Sequence, residues 1–254
     1  MHTQQADSGS QRGARGLADL MMFDLDGTLI ETAPELHAAL NDTLAGRGLQ
    51  AVSLACVADW IGQGIHELLV QAMAQATGRS ADAVRGSSAL APAVRDLEQH
   101  YQRHLGSSSR LYPRVREVLL QLHADGVALA VVTNKPGQFT ARLLAHHGLG
   151  ALFAQVISGD TLARKKPAPD GILHCLRYFG VAPERALFIG DSSIDVATAR
   201  NAGVRVWALP YGYNMGQPIA ACGPDRVIAD FAALIAPPQA PAEVQRPAAQ
   251  GGGG

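Results

Sequence analysis

MMFDLDGTLIET, residues 21–32, decides how the rest of the chain is read. The apolar run Met21-Met22-Phe23 leads into Asp24 and Asp26, two positions apart, and Gly27 follows at once. Removing a carboxylate from water is costly, so a buried strand that ends on two of them is either turning there or facing something positive. In an extended segment residues i and i+2 point to the same side; both carboxylates can therefore face one ligand. Asp-Gly alone is ordinary turn chemistry, and the pair gains meaning only from what the rest of the chain brings to it.

Beyond about residue 110 the chain alternates regularly. VREVLLQLHADG places Val115, Val118, Leu119 and Leu122 at helical spacing, with Gly126 as its stop. VALAVVTN is a continuous β-branched run of the kind buried on both faces of a parallel sheet. Then come GQFTARLLAHHG as helix, FAQVISGD as strand, DGILHCLRYFG as helix and RALFIGD as strand. SIDVATARNAG (helix) and RVWALPYG (strand) complete the series. Such alternation predicts an α/β class with βαβ units wound into a doubly wound parallel sheet.

Residues 35–108 read differently. PELHAALNDTLAGRGL, SLACVADWIGQGIHELLVQAMAQATG and LAPAVRDLEQHYQRHLG carry helical periodicity and include no convincing strand. The expected organisation is an α/β core from residues 19–34 and 109–236, interrupted by a helical domain at 35–108, with hinges at Pro34 and GSSSRLYP. Residues 1–18 and 237–254 are polar or rich in Pro, Ala, Gln and Gly, and read as a disordered arm and tail.

Composition narrows the function. The chain has 254 residues, a net charge of -1, and is 47% hydrophobic and 17% charged, a globular balance with no electrostatic footprint for nucleic acid or an acidic membrane. No apolar run approaches the ~20 residues of a membrane span, and the first residues lack the apolar core of a signal peptide; a cytoplasmic location is expected. Cys56, Cys175 and Cys222 are far apart and read as small buried hydrophobes rather than a disulfide or zinc set.

The polar residues fall at strand ends. Asp24 and Asp26 close the first strand, Thr133 and Asn134 the second, and Asp191 the strand RALFIGD, with Asp195 one helical turn on. Lys165 and Lys166 lie in a Pro-rich loop after QVISGD. In an open α/β sheet the carboxyl ends share one edge, where ligand crevices form. Asp24, Asp26 and Asp191 form an oxygen-only set suited to a hard cation such as Mg²⁺, which accompanies phosphate oxygens. With a metal neutralising it, Asp24 could attack a phosphate as nucleophile, while Asp26 moves the proton. Thr133, amides near Gly27 and a lysine could hold the phosphoryl oxygens. Each element alone has a bland reading as a turn, a helix cap or a solvated pair; as an ordered set they point to phosphoryl transfer.

DLDGT, VVTN, KKPAP and GDSSID, in that order, resemble the four motifs of the haloacid dehalogenase superfamily of phosphotransferases over about residues 19–236. The resemblance implies that Asp24 is the aspartyl-phosphate nucleophile, Asp26 the general acid/base, Thr133 a phosphate contact and Lys166 the third-motif lysine. It also implies that Asp24, the backbone carbonyl of Asp26, and Asp191 ligate Mg²⁺, with Asp195 supporting. The helical insert looks like the family's small α-helical cap, and its WIGQG segment (60–64) sits where relatives place a loop that reaches the site, which makes Gln63 and Gly64 candidate substrate contacts beside Gly27 and Asn134. WIGQGIHELL and PYGYNMGQPI (210–219) are similar to segments of bacterial phosphoglycolate phosphatases. Arg114 stands where relatives commonly have glycine.

The expected activity is Mg²⁺-dependent hydrolysis of a small phosphomonoester, with 2-phosphoglycolate first. The alternatives are a sugar-phosphate phosphatase, a pyrophosphatase or a phosphomutase on the same scaffold, and, from another class, a non-catalytic binding module. The intact set Asp24, Asp26, Lys166 and Asp191 opposes the last of these. Oligomeric state is not legible.

Overall fold

Met21-Met22-Phe23 belong to a strand, β1 (Leu20–Phe23), whose four residues are all buried because it is the middle of a sheet. The computed structural model describes residues 16–235. The expected tail at 237–254 and most of the arm lie outside them. Of the arm's residues, Leu17 and Ala18 are described and pack against the core.

After β1 the chain makes a two-residue strand, β2 (Ile30–Glu31), and enters five helices: α1 (Ala33–Ala45), α2 (Leu54–Trp60), α3 (Ile65–Thr77), α4 (Ala81–Arg85) and α5 (Leu90–His104). It returns through β3 (Arg110–Leu111) to α6 (Val115–Ala124), β4 (Ala128–Val132), α7 (Gly137–His146) and β5 (Gln155–Ile157). There follow α8 (Asp170–Phe179), β6 (Ala186–Gly190), α9 (Ser193–Ala202), β7 (Arg205–Ala208) and β8 (Arg226–Val227).

The six strands of the main sheet lie in the order β5-β4-β1-β6-β7-β8, all parallel, with Met22 between Ala130 and Phe188. Strand alternation sorts the apolar residues onto two faces. Met21, Phe23, Leu129, Val131, Leu187 and Ile189 pack against Val118 and Leu122 of α6 and Leu143 of α7. Leu20, Met22, Ala130, Val132 and Phe188 pack against Ile172 and Cys175 of α8 and Val196 and Ala199 of α9. The doubly wound reading is right, and the strand order reverses beside β1, which puts a crevice at its carboxyl end.

The helical insert has a core of its own. Leu36, Leu40 and Leu44 of α1 meet Val57, Leu69, Met73, Leu97 and Tyr101, and Phe139 of α7 joins this cluster from below. The helical stretch at 53–78 forms α2 and α3, separated where Gly62 (φ 133°) and Gly64 (φ 97°) adopt backbone that other residues disfavour. β2 and β3 were not anticipated. They pair antiparallel, Ile30 with Leu111 and Glu31 with Arg110, so the two crossings into the insert run side by side; two residues are too few to show a periodicity. Of the cysteines only Cys175 is fully buried, its thiol pushed up to about 12 by burial. Cys56 and Cys222 are half-buried, Cys222 at the edge of the apolar cluster under α8 and α9.

Candidate active site

The ladder between β1 and β6 continues one residue past the strand, since the Asp24 N–H donates to the Ile189 carbonyl at 2.9 Å. That bond fixes Asp24 at the sheet edge. The chain then turns tightly: the Leu25 carbonyl accepts from Leu29 and Ile30, both at 3.0 Å. Gly27 sits at φ 87°, and a Cβ there would run into the Asp191 carboxylate and come 2.8 Å from the Tyr213 ring. Its N–H donates to Ile30 O at 2.9 Å. Glycine is thus required here by backbone conformation and by the approach of Asp191, and its own amide is engaged in the turn rather than offered to a ligand.

Three other loops converge on Asp24. After β4, the Thr133 N–H bonds the Ile157 carbonyl at 2.9 Å, which carries the β4–β5 ladder onward, and the Thr133 hydroxyl accepts from the Lys135 N–H at 3.3 Å. Asn134 gives its amide hydrogens to Gly62 O of the insert (2.9 Å) and Lys166 O (3.1 Å), while its Oδ1 is buried without a partner. From the loop after β5, Lys166 places Nζ 2.8 Å from Asp24 Oδ1 and 2.7 Å from Asp195 Oδ1. After β6, Asp191 accepts from the Thr28 hydroxyl and, at 2.6 Å, from the Tyr213 N–H.

Asp195 shows why Ser192 begins α9 where it does. The Ser192 hydroxyl accepts from the Asp195 N–H while Asp195 Oδ2 accepts from the Asp191 and Ser192 N–H groups and the Ser192 hydroxyl, a capping box. Asp24, Asp191 and Asp195 each bring an oxygen within 4.8 Å of the others. Asp195 nevertheless has both oxygens taken, one by Lys166 and one by three donors; its place is to hold Lys166 and the β6–α9 turn. Asp191 accepts a single donor on each oxygen and Asp24 meets Lys166 on one, so these two carboxylates keep lone pairs for a cation.

The electrostatics favour one. Four carboxylates (Asp24, Asp26, Asp191, Asp195) meet two ammonium groups, Lys135 and Lys166, and the surplus is that which a divalent ion would balance. Burial raises the pKa of Asp24 to about 6; Lys166 pulls it down and Asp195 pushes it up. Burial, then Asp195 and Asp24, raise Asp191 well above the carboxylate range despite the opposing bonds from Thr28 and Tyr213. Burial works against the Lys166 ammonium, but Asp195 and Asp24 outweigh it and keep it charged. Two buried oxygen donors destabilised by each other's charge suit a hard divalent cation such as Mg²⁺.

Asp24 and Asp26 line one cleft between the sheet edge and the insert, together with Thr133, Asn134 and Lys135. The insert's side is Leu36, Ile61, Gly62, Gly64, Ile65, Leu68 and Tyr101. About 30 Å³ of this space is reachable by water centres, room for roughly two or three waters. Gln63 is exposed and does not line the cleft. Its carbonyl accepts from Lys165 Nζ at 2.6 Å, because the two glycines flanking it direct backbone, not the Gln63 side chain, toward the core. The adjacent lysines therefore part: Lys166 turns in to Asp24 and Lys165 out to the insert loop.

One site residue escaped the sequence reading, and another, Tyr213 of the YGYN segment, makes a contact that reading did not specify. Lys135, its side chain 3% exposed, puts Nζ 3.0 and 3.2 Å from the two oxygens of Asp26. It directly follows VVTN at a strand's carboxyl end, and that position was the signal. Tyr213 reaches back so that its hydroxyl accepts from the N–H groups of Thr32 and Ala33 at 3.1 and 3.0 Å, at the start of α1. Nothing local in sequence marks a contact between residues so far apart.

Fold and site together define a class. The chain belongs to the haloacid dehalogenase-like hydrolase family, whose model matches residues 21–209. Within it, the chain is 39% identical over 234 residues to "Phosphoglycolate phosphatase 1" of Pseudomonas aeruginosa, covering 92% of this chain and 85% of that one. It is 39% identical over 221 residues to "Phosphoglycolate phosphatase" of Vibrio cholerae, covering 85% and 95%. A crystal structure of a predicted phosphoglycolate phosphatase from Haemophilus somnus superposes with a TM-score of 0.79 at 36% identity, over 87% of this chain and 98% of that one.

Proposed function

We propose that the protein is a Mg²⁺-dependent phosphomonoester hydrolase that converts 2-phosphoglycolate to glycolate and phosphate through an aspartyl-phosphate on Asp24. The observation that carries this reading is the convergence of Asp24, Lys166 and Asp191 at one sheet edge, with Asp26 in the same cleft. The phosphatases of P. aeruginosa and V. cholerae supply the substrate.

Bound by Asp24 and Asp191, with the backbone carbonyl of Asp26, Mg²⁺ would neutralise charge so that two anions can meet. An Asp24 oxygen attacks phosphorus and the ester oxygen departs, taking a proton from Asp26. Asp26 then removes a proton from water, which attacks the same phosphorus; the P–O bond to Asp24 breaks and phosphate leaves. The Lys166 ammonium and the Thr133 hydroxyl stabilise the non-bridging phosphoryl oxygens. Asn134 and Gly64 shape the cleft, Asn134 by tying the insert loop to Lys166. The insert at 35–108 acts as a cap that excludes water from the cleft.

The partner in this reading is a small phosphorylated substrate, with no nucleic acid or membrane involved, and the setting is the cytoplasm. No helix among the described residues is long and apolar enough to cross a membrane. A panel of phosphate esters compared by kcat/KM with Mg²⁺ present tests the proposal. 2-Phosphoglycolate should lead; a hexose phosphate, pyrophosphate or a phosphomutase reaction in its place would reassign the substrate while leaving the Asp24 chemistry intact. No turnover of any ester would favour a non-catalytic module.

A further inference from the structure

Among the residues that line the cleft, Lys135 is the one cation; Lys166 is held between Asp24 and Asp195, on the phosphoryl side of the site. The wall contributed by the insert is apolar, Leu36, Ile61, Ile65 and Leu68, apart from Tyr101 and the backbone around Gly62 and Gly64. The Tyr101 hydroxyl is turned away, donating to Glu35 at 3.0 Å, so Tyr101 presents its ring. Lys135 Nζ lies 4.7 Å from the centre of that ring and 3.0 Å from Asp26 Oδ1. The ring itself is held against Phe139 with centroids 4.8 Å apart. An ammonium so fixed, between an aromatic face and a carboxylate, keeps one position and has three hydrogens to give.

We propose that Lys135 is the specificity-determining residue that reads the substrate's carboxylate. The inference rests on the phosphoglycolate reading above and assigns the recognition of the organic part to the α/β core, with the insert contributing shape. With the phosphoryl group on Asp24, the carboxylate one methylene beyond the ester oxygen meets the largely apolar wall of the insert, and Lys135 is the lining residue that offers it opposite charge. One ammonium then bridges two carboxylates, that of Asp26 and that of the substrate, and an ester with a neutral organic group leaves this donor unused.

The test is the ratio of kcat/KM for 2-phosphoglycolate over ethyl phosphate, which has a methyl group in place of the carboxylate. Lys135 also holds Asp26, so both rates should fall on substitution; the ratio is the informative quantity. In Lys135→Gln, which keeps a hydrogen-bond donor but no charge, and in Lys135→Met, the ratio should drop about 50-fold, the scale of losing one partner of a desolvated charge pair. Lys135→Arg should retain most of it. Circular dichroism confirms folding, and the Gln variant carries the test if the Met variant does not fold. A ratio unchanged in the uncharged variants would overturn the assignment and leave Lys135 as a positioning residue for Asp26. An unmodified enzyme with no preference for 2-phosphoglycolate over ethyl phosphate would remove the substrate reading and this inference together.

Discussion

Lys166 Nζ stands 2.8 Å from Asp24 Oδ1 and 2.7 Å from Asp195 Oδ1, with a side chain 2% exposed, while the neighbouring Lys165 faces solvent and bonds a backbone carbonyl of the insert. Removing one member of a buried ionic group leaves the others uncompensated, which costs about 3–5 kcal/mol. Lys166→Met should therefore lower stability by about 3 kcal/mol and kcat by about 10³-fold, the scale of losing a charge aimed at the transition state. Lys165→Met should change stability by less than about 0.5 kcal/mol and act on KM through the loop at Gly62–Gly64. Urea unfolding and steady-state kinetics of the two variants, side by side, check this contrast.

The raised carboxylates set a pH dependence. Burial pushes the Asp24 carboxyl up to about 6 from its ordinary 3.8. Between those values the folded protein holds a proton that the unfolded chain has released, so this group makes stability fall as pH rises through the window and level off above about 6. Asp191 is displaced in the same direction. A cation competes with those protons. Mg²⁺ should raise Tm clearly at about pH 7.5 and little at about pH 5, and chelation should abolish activity reversibly. Equal Tm shifts at both pH values would contradict the assignment of the cation to Asp24 and Asp191.

Tyr213 performs a cap that Thr32 cannot. Thr32 begins α1, but its hydroxyl donates to Asp26 Oδ1 at 2.8 Å and makes no helix-capping bond. The N–H groups of Thr32 and Ala33 turn to the Tyr213 hydroxyl instead. Tyr213→Phe should cost about 1–2 kcal/mol, seen in urea unfolding. The Tyr213 N–H to Asp191 is backbone and survives, so Mg²⁺ affinity should change little.

Arg114 takes φ 68° just before α6, the left-handed region that favours glycine, and its side chain is exposed. Arg114→Gly should stabilise the protein by about 1 kcal/mol, or roughly 2–4 °C in Tm, without altering kinetics. Thermal unfolding reads this directly.

The sheet was legible because runs such as ALAVV and ALFIG are buried on both faces and carry no competing pattern. Asp24, Thr133, Lys166 and Asp191 were placed at one edge by the rule that parallel strands share a carboxyl end. What stayed hidden depends on side-chain direction. Lys165 and Lys166 differ by one position and point opposite ways, and the placement of Lys135 against Tyr101 of the insert is a contact no local pattern marks. Gln63 looked like a contact because its loop reaches the site, yet the loop approaches through its glycines. β2 and β3 are pairings between residues about 80 positions apart, which no local period encodes.

The nucleophile is tested most directly by phosphate release from 2-phosphoglycolate by Asp24→Asn with saturating Mg²⁺, the asparagine being verified by mass spectrometry and the fold by circular dichroism. The expected result is a folded protein with no release above background. Turnover near that of the unmodified enzyme would contradict an aspartyl-phosphate on Asp24.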